Sequence, residues 1–284
     1  MNNPIKAAAI KEIIRSGSSL PVIVSDGSGT EYIVKLKGTG DGIITNITEY
    51  ISTSIGYNIT LPVLKPYLID IGKDSEVQIK NGEFAEVIKK SYGLNICHLY
   101  YRDAVPIEKS GKIPDKPALD CIFLFDLFLL NVDRRKNNSD VISTADKIYA
   151  TDFGSSFLIR SLTDGVNYYN DESILKQIKR SPFYNDNAAQ DAVSEMFHKL
   201  KQVNILSVIS EMPDEWLKDI HENADTLKKL MSERLTDYIS TERYISGALE
   251  KLKDLKVESE DEIKKRQMEN RKKFEREILF KKRT

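Results

Sequence analysis

The spacing of hydrophobic residues changes along the N-terminal region, and each spacing predicts a different element. Residues 5–15 place Ile5, Ile10 and Ile13 at helical intervals, which predicts a short amphipathic helix covering a sheet. Two runs rich in β-branched residues follow at 20–25 and 30–36, with an Asp-Gly-Ser-Gly segment between them. This combination predicts a β-hairpin with a glycine-rich tip.

Further patterns extend the prediction towards the C-terminus. Residues 45–55 are spaced as a helix, and 61–72 are typical of one or two strands entered through prolines. Residues 95–101 are a candidate connector between two lobes. An apolar run at 121–130 predicts a buried helix, and 141–152 predicts a second hairpin. Several helices with core-forming apolar positions are predicted beyond residue 173.

The tip of the first hairpin suggests phosphate binding. Gly27 and Gly29 would allow backbone amides to approach phosphate oxygens, and Ser28 adds a hydroxyl donor. A tight turn without a ligand fits the same residues. Lys35 lies in the second strand where it can face a cleft, and Glu49 in the following helix is the candidate partner of this lysine. A solvated helix glutamate remains the alternative for Glu49.

The segment from residue 126 to 157 carries the strongest candidate chemistry. Asp133 and Asn138 lie in a polar loop after the buried helix, and Asp152 ends the second hairpin. Magnesium-assisted phosphoryl transfer requires such carboxylates and a side-chain amide. Asp133 could orient or deprotonate an attacking hydroxyl, while Asn138 and Asp152 could hold the metal that bridges ATP phosphates. The pattern indicates a kinase.

The amino-acid composition limits the class of protein and the cellular compartment that are expected. The 284 residues, 40% of them hydrophobic, suffice for a sizeable core, and a net charge of −1 argues against a globally basic nucleic-acid binder. Two cysteines cannot form a disulfide framework, and no second ligand pair accompanies His98 to suggest zinc. The apolar run at 121–130 is far shorter than the about 20 residues needed to span a bilayer. A cytoplasmic protein without membrane contact is expected.

The C-terminus is strongly basic. Residues 264–284 contain ten Lys or Arg and three Glu, a net charge of +7 over 21 residues. A solvated helix is one interpretation. The other is a basic arm that binds a nucleic-acid or acidic protein partner, because clustered cations displace counterions from phosphates.

Taken together, these segments resemble the HipA-like kinase family, particularly its compact form without the extra N-terminal domain of the full-length toxin kinases. The motifs around Asp133 and Asp152 are the most specific. The resemblance spans Val22 to Trp216 and rests on Tyr32-Ile-Val-Lys35, Leu61-Pro-Val63, Phe125-Asp-Leu-Phe-Leu-Leu-Asn131-Val-Asp133-Arg134, Ala150-Thr-Asp152-Phe-Gly154 and Met212-Pro-Asp-Glu-Trp216.

This resemblance implies an α+β, two-lobed protein-kinase-like fold. A small β-rich N-lobe would occupy residues 1–100 and a mainly helical C-lobe residues 101–254, followed by a charged tail at 255–284. It also implies ATP and magnesium as cofactors and a protein serine or threonine as acceptor. The matching positions are Asp133 for catalysis, Asn138 and Asp152 for magnesium, Lys35 for the nucleotide, and Ser28 in a loop where relatives are autophosphorylated.

Three positions depart from the family pattern. Arg135 stands where relatives often carry histidine, and Thr45 stands where the helix glutamate is usual, with Glu49 one turn later. Asn137 competes with Asn138 as a metal ligand.

Two other functions stay open. One is a lipid or small-molecule kinase of the same fold, and the other is a nucleotide-binding pseudokinase that acts as a binding module. A role as toxin, defence component or housekeeping regulator is equally open.

Overall fold

The computed structural model describes most of the chain up to residue 258. The basic segment 264–284, for which a solvated helix or a binding arm was predicted, lies almost wholly outside the described residues. The described residues are 3–14, 20–40, 42–79, 82–185, 190–218, 220–221, 223–240 and 242–258, with positions 262, 265, 268 and 269.

A curved β-sheet forms the N-terminal lobe. Within the described residues it has six strands in the order β2-β3-β6-β4-β1-β5, and β1 pairs with β2 as well as with β4. These pairings close five of the strands into a ring around an apolar interior. The strands are β1 (Ile5–Ile13), β2 (Val22–Asp26), β3 (Glu31–Lys35), β4 (Tyr67–Ile71), β5 (Glu76–Val77) and β6 (Gly93–Leu99).

The helix predicted at residues 5–15 is wrong, because this segment is strand β1. Lys6 and Ala8 are exposed, whereas the alternate positions Ile5, Ala7 and Ala9 are at least partly buried. The spacing of these residues fits a period of two as well as a helical period. Strands β2 and β4 provide backbone partners for β1, and this tertiary pairing overrides the helix propensity of the alanines.

The first predicted hairpin and the helix after it are confirmed as β2, β3 and helix α1 (Gly42–Asn58). Ile47, Ile51 and Ile55 of α1 are fully buried and belong to the same apolar cluster as the core of the helical lobe. Helix α2 (Gly82–Lys90) packs Phe84 and Ile88 against the interior of the sheet instead. Helix α1 is therefore attached to the core of the C-terminal lobe.

Other predictions in this half are partly correct. The region 61–72 contains the single strand β4, and the proposed connector 95–101 is mostly strand β6, so the chain passes between the lobes after Leu99.

The C-terminal lobe is mainly helical and also carries a small sheet. The predicted second hairpin is present as β8 and β9, with β7 at its edge. The strands are β7 (Val105–Pro106), β8 (Val141–Ser143) and β9 (Ile148–Ala150), and the helices are α3 (Lys116–Leu129), α4 (Leu158–Asp164), α5 (Glu172–Ile178), α6 (Gln190–Leu200), α7 (Ile205–Ser210), α8 (Ala224–Ser240) and α9 (Arg243–Asp254).

The predicted buried helix is the centre of this lobe. Asp115 caps the N-terminus of α3 by accepting a hydrogen bond from the Ala118 amide, and Pro117 lies in the first turn. All residues from Ile122 to Leu129 are buried. No helix in the described ranges is long and apolar enough to cross a membrane.

Candidate active site

The end of helix α3 fixes the direction of the loop that carries Asp133. Leu130 adopts a left-handed conformation with φ of 54° and terminates the helix. The Asn131 amide then donates to the Asp126 carbonyl at 2.8 Å, and the Asn131 side chain donates to the Asp126 carboxylate at 2.9 Å. Asp133 lies two residues after Asn131 and is exposed.

A buried ion pair holds this loop in place. The Arg134 guanidinium donates to the Asp126 carboxylate at 2.5 Å, and both side chains are almost completely buried. Arg134 also donates to the carbonyls of Ser139, Asp140 and Thr151 at 2.8, 2.9 and 3.2 Å. Burial raises the pKa of Asp126, and Arg134 opposes that rise. The pair thus joins α3, the polar loop and the end of β9.

The structure brings the three predicted catalytic and metal-binding residues to one cavity. Asp133, Asn138 and Asp152 line a space of about 610 Å³, together with Ser155 and residues of α1 and α4. Asn137 is not among the lining residues, so the geometry favours Asn138 of the two asparagines.

Lys35, Glu49 and Asp152 form an ion-pair cluster between the lobes. The Lys35 ammonium lies 2.8 Å from Glu49 Oε2 and 2.5 Å from Asp152 Oδ1. Burial opposes the charged form of Lys35, but Glu49 and Asp152 raise the pKa of this lysine. The chain therefore does pair Lys35 with Glu49, even though Thr45 occupies the position where relatives carry the glutamate.

Glu49 is held from three sides. Its Oε2 also accepts the Phe153 amide at 2.8 Å, and its Oε1 lies 3.4 Å from His98 Nε2. Burial alone would raise the pKa of Glu49, but Lys35 and His98 lower it to about 2. The carboxylate thus links α1 to β3, β6 and the segment after β9.

Gly154 permits the close approach of the lobes at this point. A Cβ atom at Gly154 would lie 2.9 Å from Thr45 Cγ2 and 3.4 Å from Lys35 Nζ. Any side chain here would displace α1 or the lysine, which explains a glycine after Phe153.

Asp140 is a fourth acidic residue near the cavity that the sequence patterns did not single out. It has a left-handed backbone with φ of 51°, and its Oδ2 is buried without a hydrogen-bond partner. Burial, followed by the charge of Asp152, raises the pKa of Asp140 to about 7.

Asp140→Asn should therefore change the pH dependence of stability in metal-free protein. The pKa of Asp140 is raised from its ordinary value of 3.8 to about 7 in the folded protein, so the stabilising contribution of its proton is fully present below pH 4 and is lost as the pH rises through 7. At pH 8 we expect the variant to have a higher Tm than the wild type, by about 2–4 °C for each kcal/mol of unfolding free energy that the change recovers. Near pH 4 the two Tm values should match. Calorimetry in EDTA measures this. An equal difference at both pH values, or the same pattern in the exposed Asp146→Asn control, would contradict the assignment.

The glycine-rich tip lies apart from this cavity. The Asp26 carboxylate accepts hydrogen bonds from the Ser28 amide at 2.9 Å, the Ser28 hydroxyl at 2.7 Å and the Thr30 amide at 3.0 Å. Gly27, Ser28 and Gly29 are exposed and do not line the cavity that contains Asp133. Phosphate binding by this turn stays a prediction.

The donor set suits magnesium better than a metal bound entirely by protein. Among the described residues, no three His, Cys, Asp or Glu side chains converge on one point. Magnesium typically keeps several waters and binds one or two carboxylates together with substrate phosphates. Asp152 and Asn138 offer such oxygen donors in an open cavity, and the unpartnered Asp140 oxygen lies close enough to feel the Asp152 charge.

Comparison with protein families decides the class. A family model described as HipA-like kinase matches residues 7–246. The chain belongs to the HipA-like kinase family. Family and fold together support a kinase, that is, a phosphotransferase. A search of curated proteins gives no match.

The chain is also similar to solved structures of kinases. The Helicobacter pylori proinflammatory kinase CtkA aligns with a TM-score of 0.56 at 14% identity, covering 90% of this chain and all of that chain. The golgi casein kinase gives a TM-score of 0.43 at 10% identity, with 87% and 73% covered. The β-rich N-terminal lobe, the mainly helical C-terminal lobe and the CtkA alignment confirm the predicted α+β, two-lobed kinase fold.

A segment of the helical lobe of the HipA-like kinase also reaches the elements that carry Lys35 and Glu49. Glu215 accepts from Lys37 Nζ at 2.8 Å and from the Leu94 amide at 2.9 Å. The buried Trp216 donates to the Leu94 carbonyl at 2.8 Å and packs edge to face against Tyr50, with ring centroids 5.9 Å apart. Trp216 was predicted to be core; its contact with the sheet was not foreseen.

Glu215→Ala should weaken nucleotide binding without touching the cavity. The change removes the contacts with Lys37 and with the Leu94 amide. We expect the free energy of ATP binding to fall by about 1 kcal/mol, which corresponds to an about fivefold higher Kd. Calorimetric titration measures the Kd. Asp214→Ala is the matched control, because Asp214 pairs with Lys228 inside the helical lobe. Equal Kd values for wild type and Glu215→Ala would show that this contact does not support the site.

Proposed function

We propose that the protein is an ATP- and magnesium-dependent protein kinase that phosphorylates serine or threonine. The observation that carries the proposal is the Lys35–Glu49–Asp152 cluster, placed beside a cavity shared by Asp133, Asn138 and Asp152. Phosphoryl transfer depends mainly on positioning and on charge stabilisation, and this arrangement supplies both.

Lys35 is suited to hold the nucleotide phosphates. An ammonium group has three donors, and Glu49 and Asp152 take two of them, which leaves one for a phosphate oxygen. The contacts of Glu49 with Lys35 and with the Phe153 amide keep the lysine aimed at the cavity.

Asn138 and Asp152 would hold the metal. Magnesium, when bound, neutralises negative charge on the β- and γ-phosphates. Asp152 Oδ1 accepts from Lys35, and the second oxygen of the same carboxylate would be the metal ligand.

Asp133 is placed to receive the acceptor hydroxyl. It is exposed at the cavity, and the Asp126–Arg134 pair fixes the loop behind it. It accepts the hydroxyl proton as the acceptor oxygen attacks the γ-phosphorus and ADP leaves.

Phosphosite mass spectrometry of a cell lysate incubated with ATP, magnesium and the protein tests this function. We expect new phosphoserine or phosphothreonine sites with the wild type and none with Asp152→Asn. Label appearing only in the lipid or small-molecule fraction would replace the protein acceptor by the alternative kinase class.

A binding-only role predicts a different result. ATP with magnesium would then raise the Tm while ADP formation stays at background. The intact contacts of Lys35, Glu49 and Asp152 support catalysis over this alternative.

A further inference from the structure

The Asp133 carboxylate already faces a hydroxyl group of its own chain. Ser155, the residue after Gly154, donates a hydrogen bond from its Oγ to Asp133 Oδ2 across 3.1 Å. No other side chain in the described part of the chain donates to this carboxylate. The distance lies within the about 2.6–3.2 Å expected between a general base and the group it deprotonates.

Two other hydroxyl groups that line the cavity donate to backbone carbonyls instead. Ser156 is buried and its hydroxyl donates to the Phe153 carbonyl at 2.7 Å. Thr163 donates to the Arg160 carbonyl of its own helix at 2.9 Å. Ser155 is partly exposed and lines the cavity together with Asp133, Asn138 and Asp152. Its hydroxyl thus occupies the position relative to Asp133 that an acceptor substrate would take.

We infer that Ser155 is an internal phosphate acceptor, modified by its own active site. The inference rests on the proposed kinase function. Ser155 Oγ would form a bond to the γ-phosphorus of ATP, the bond from that phosphorus to the β-bridging oxygen would break, and ADP would leave. The hydroxyl proton passes to Asp133 Oδ2. The reaction is intramolecular, since donor site and acceptor belong to one chain.

The modified residue would restrain further catalysis. A phosphoserine carries about −1.5 to −2 charges at neutral pH, and here it would lie beside the carboxylates of Asp133 and Asp152. Arg160 lines the same cavity, and its guanidinium lies over the Phe157 ring at 5.3 Å from the ring centroid. Its guanidinium can pair with the phosphate and keep it in the place that an external hydroxyl would have to occupy. Phosphorylation of Ser155 is therefore self-limiting.

The test is site-resolved mass spectrometry of the purified full chain after incubation with ATP and magnesium. We expect phosphate on Ser155, with a first-order rate constant that does not change over a tenfold range of protein concentration. Ser155→Thr should be modified at the same position, whereas Ser155→Ala should lose that site. Ser156→Ala is the matched control and should keep Ser155 phosphorylated.

The outcomes separate this inference from the proposed function. Phosphate on external proteins or on other residues, with Ser155 unmodified, overturns the inference and leaves the kinase function intact. A rate constant that rises with protein concentration overturns the intramolecular step. Absence of both ADP formation and protein phosphorylation overturns the proposed function itself.

Discussion

Asp133→Asn is expected to lower the rate of phosphate transfer at saturating ATP by about 10²–10⁴-fold, the usual contribution of general acid–base catalysis. Asparagine keeps the shape of the side chain and an oxygen that can accept from Ser155, so the fold of the loop should be retained. It cannot take up the acceptor proton. The Lys35–Asp152 ion pair is untouched, so ATP affinity should stay close to that of the wild type.

Quenched-flow measurement of ADP formation with a protein acceptor determines this rate, and calorimetric titration determines the ATP Kd. Asp146→Asn, in the exposed turn of the β8–β9 hairpin, provides the matched loss of a carboxylate. A variant at Asp133 that turns over as fast as Asp146→Asn would remove Asp133 from the mechanism.

Arg134→Met is expected to lower the free energy of unfolding by about 3–5 kcal/mol, because it leaves a buried carboxylate without its cation. Asp126 would lose the 2.5 Å contact with Arg134 and keep only Asn131 as a partner. The carbonyls of Ser139, Asp140 and Thr151 would lose their shared donor as well. The loop carrying Asp133 should therefore lose its fixed position together with stability.

Urea unfolding followed by circular dichroism measures the change. The double variant Asp126→Asn/Arg134→Met should be more stable than Arg134→Met alone, since no uncompensated charge remains and the amide can still bond Asn131. Lys176→Met breaks the exposed pair with Glu172 and should cost about 0–1 kcal/mol. A loss of unfolding free energy for Arg134→Met that is as small as that of Lys176→Met would show that the Asp126–Arg134 pair does not support the loop.

Elements with a strong local signal were predictable from the sequence. The hairpin of β2 and β3, helix α1 and the buried helix α3 each show one clear hydrophobic period, although α1 continues past the predicted stop at Gly56 to Asn58. The convergence of Asp133, Asn138 and Asp152 on one cavity also followed from their positions at element ends.

Features that depend on distant partners were not predictable in the same way. The Ile and Ala pattern of β1 fits two periods, and only the strands on either side decide between them. The distance from Glu49 to Lys35 depends on how α1 packs between the lobes. Glu49 lies one turn after the position where relatives carry the glutamate, and sequence spacing alone could not decide whether it still reaches Lys35.

Two further site residues, Asp126 and Asp140, were not singled out from the sequence. Asp126 is the acidic residue in the otherwise apolar stretch from Ile122 to Leu129, and a buried charge of this kind requires a partner, which Arg134 provides. Asp140 lies two positions after Asn138, but its orphaned oxygen and left-handed backbone are visible only in three dimensions.

We propose above all that the γ-phosphate of ATP is transferred in the cavity of Asp133, Asn138 and Asp152. Incubation of the wild-type protein with γ-labelled ATP and a cell lysate, with magnesium or with excess EDTA, tests it most directly. We expect labelled phosphoserine or phosphothreonine with magnesium and none with EDTA. Label that persists undiminished in EDTA, or none under either condition, would contradict it.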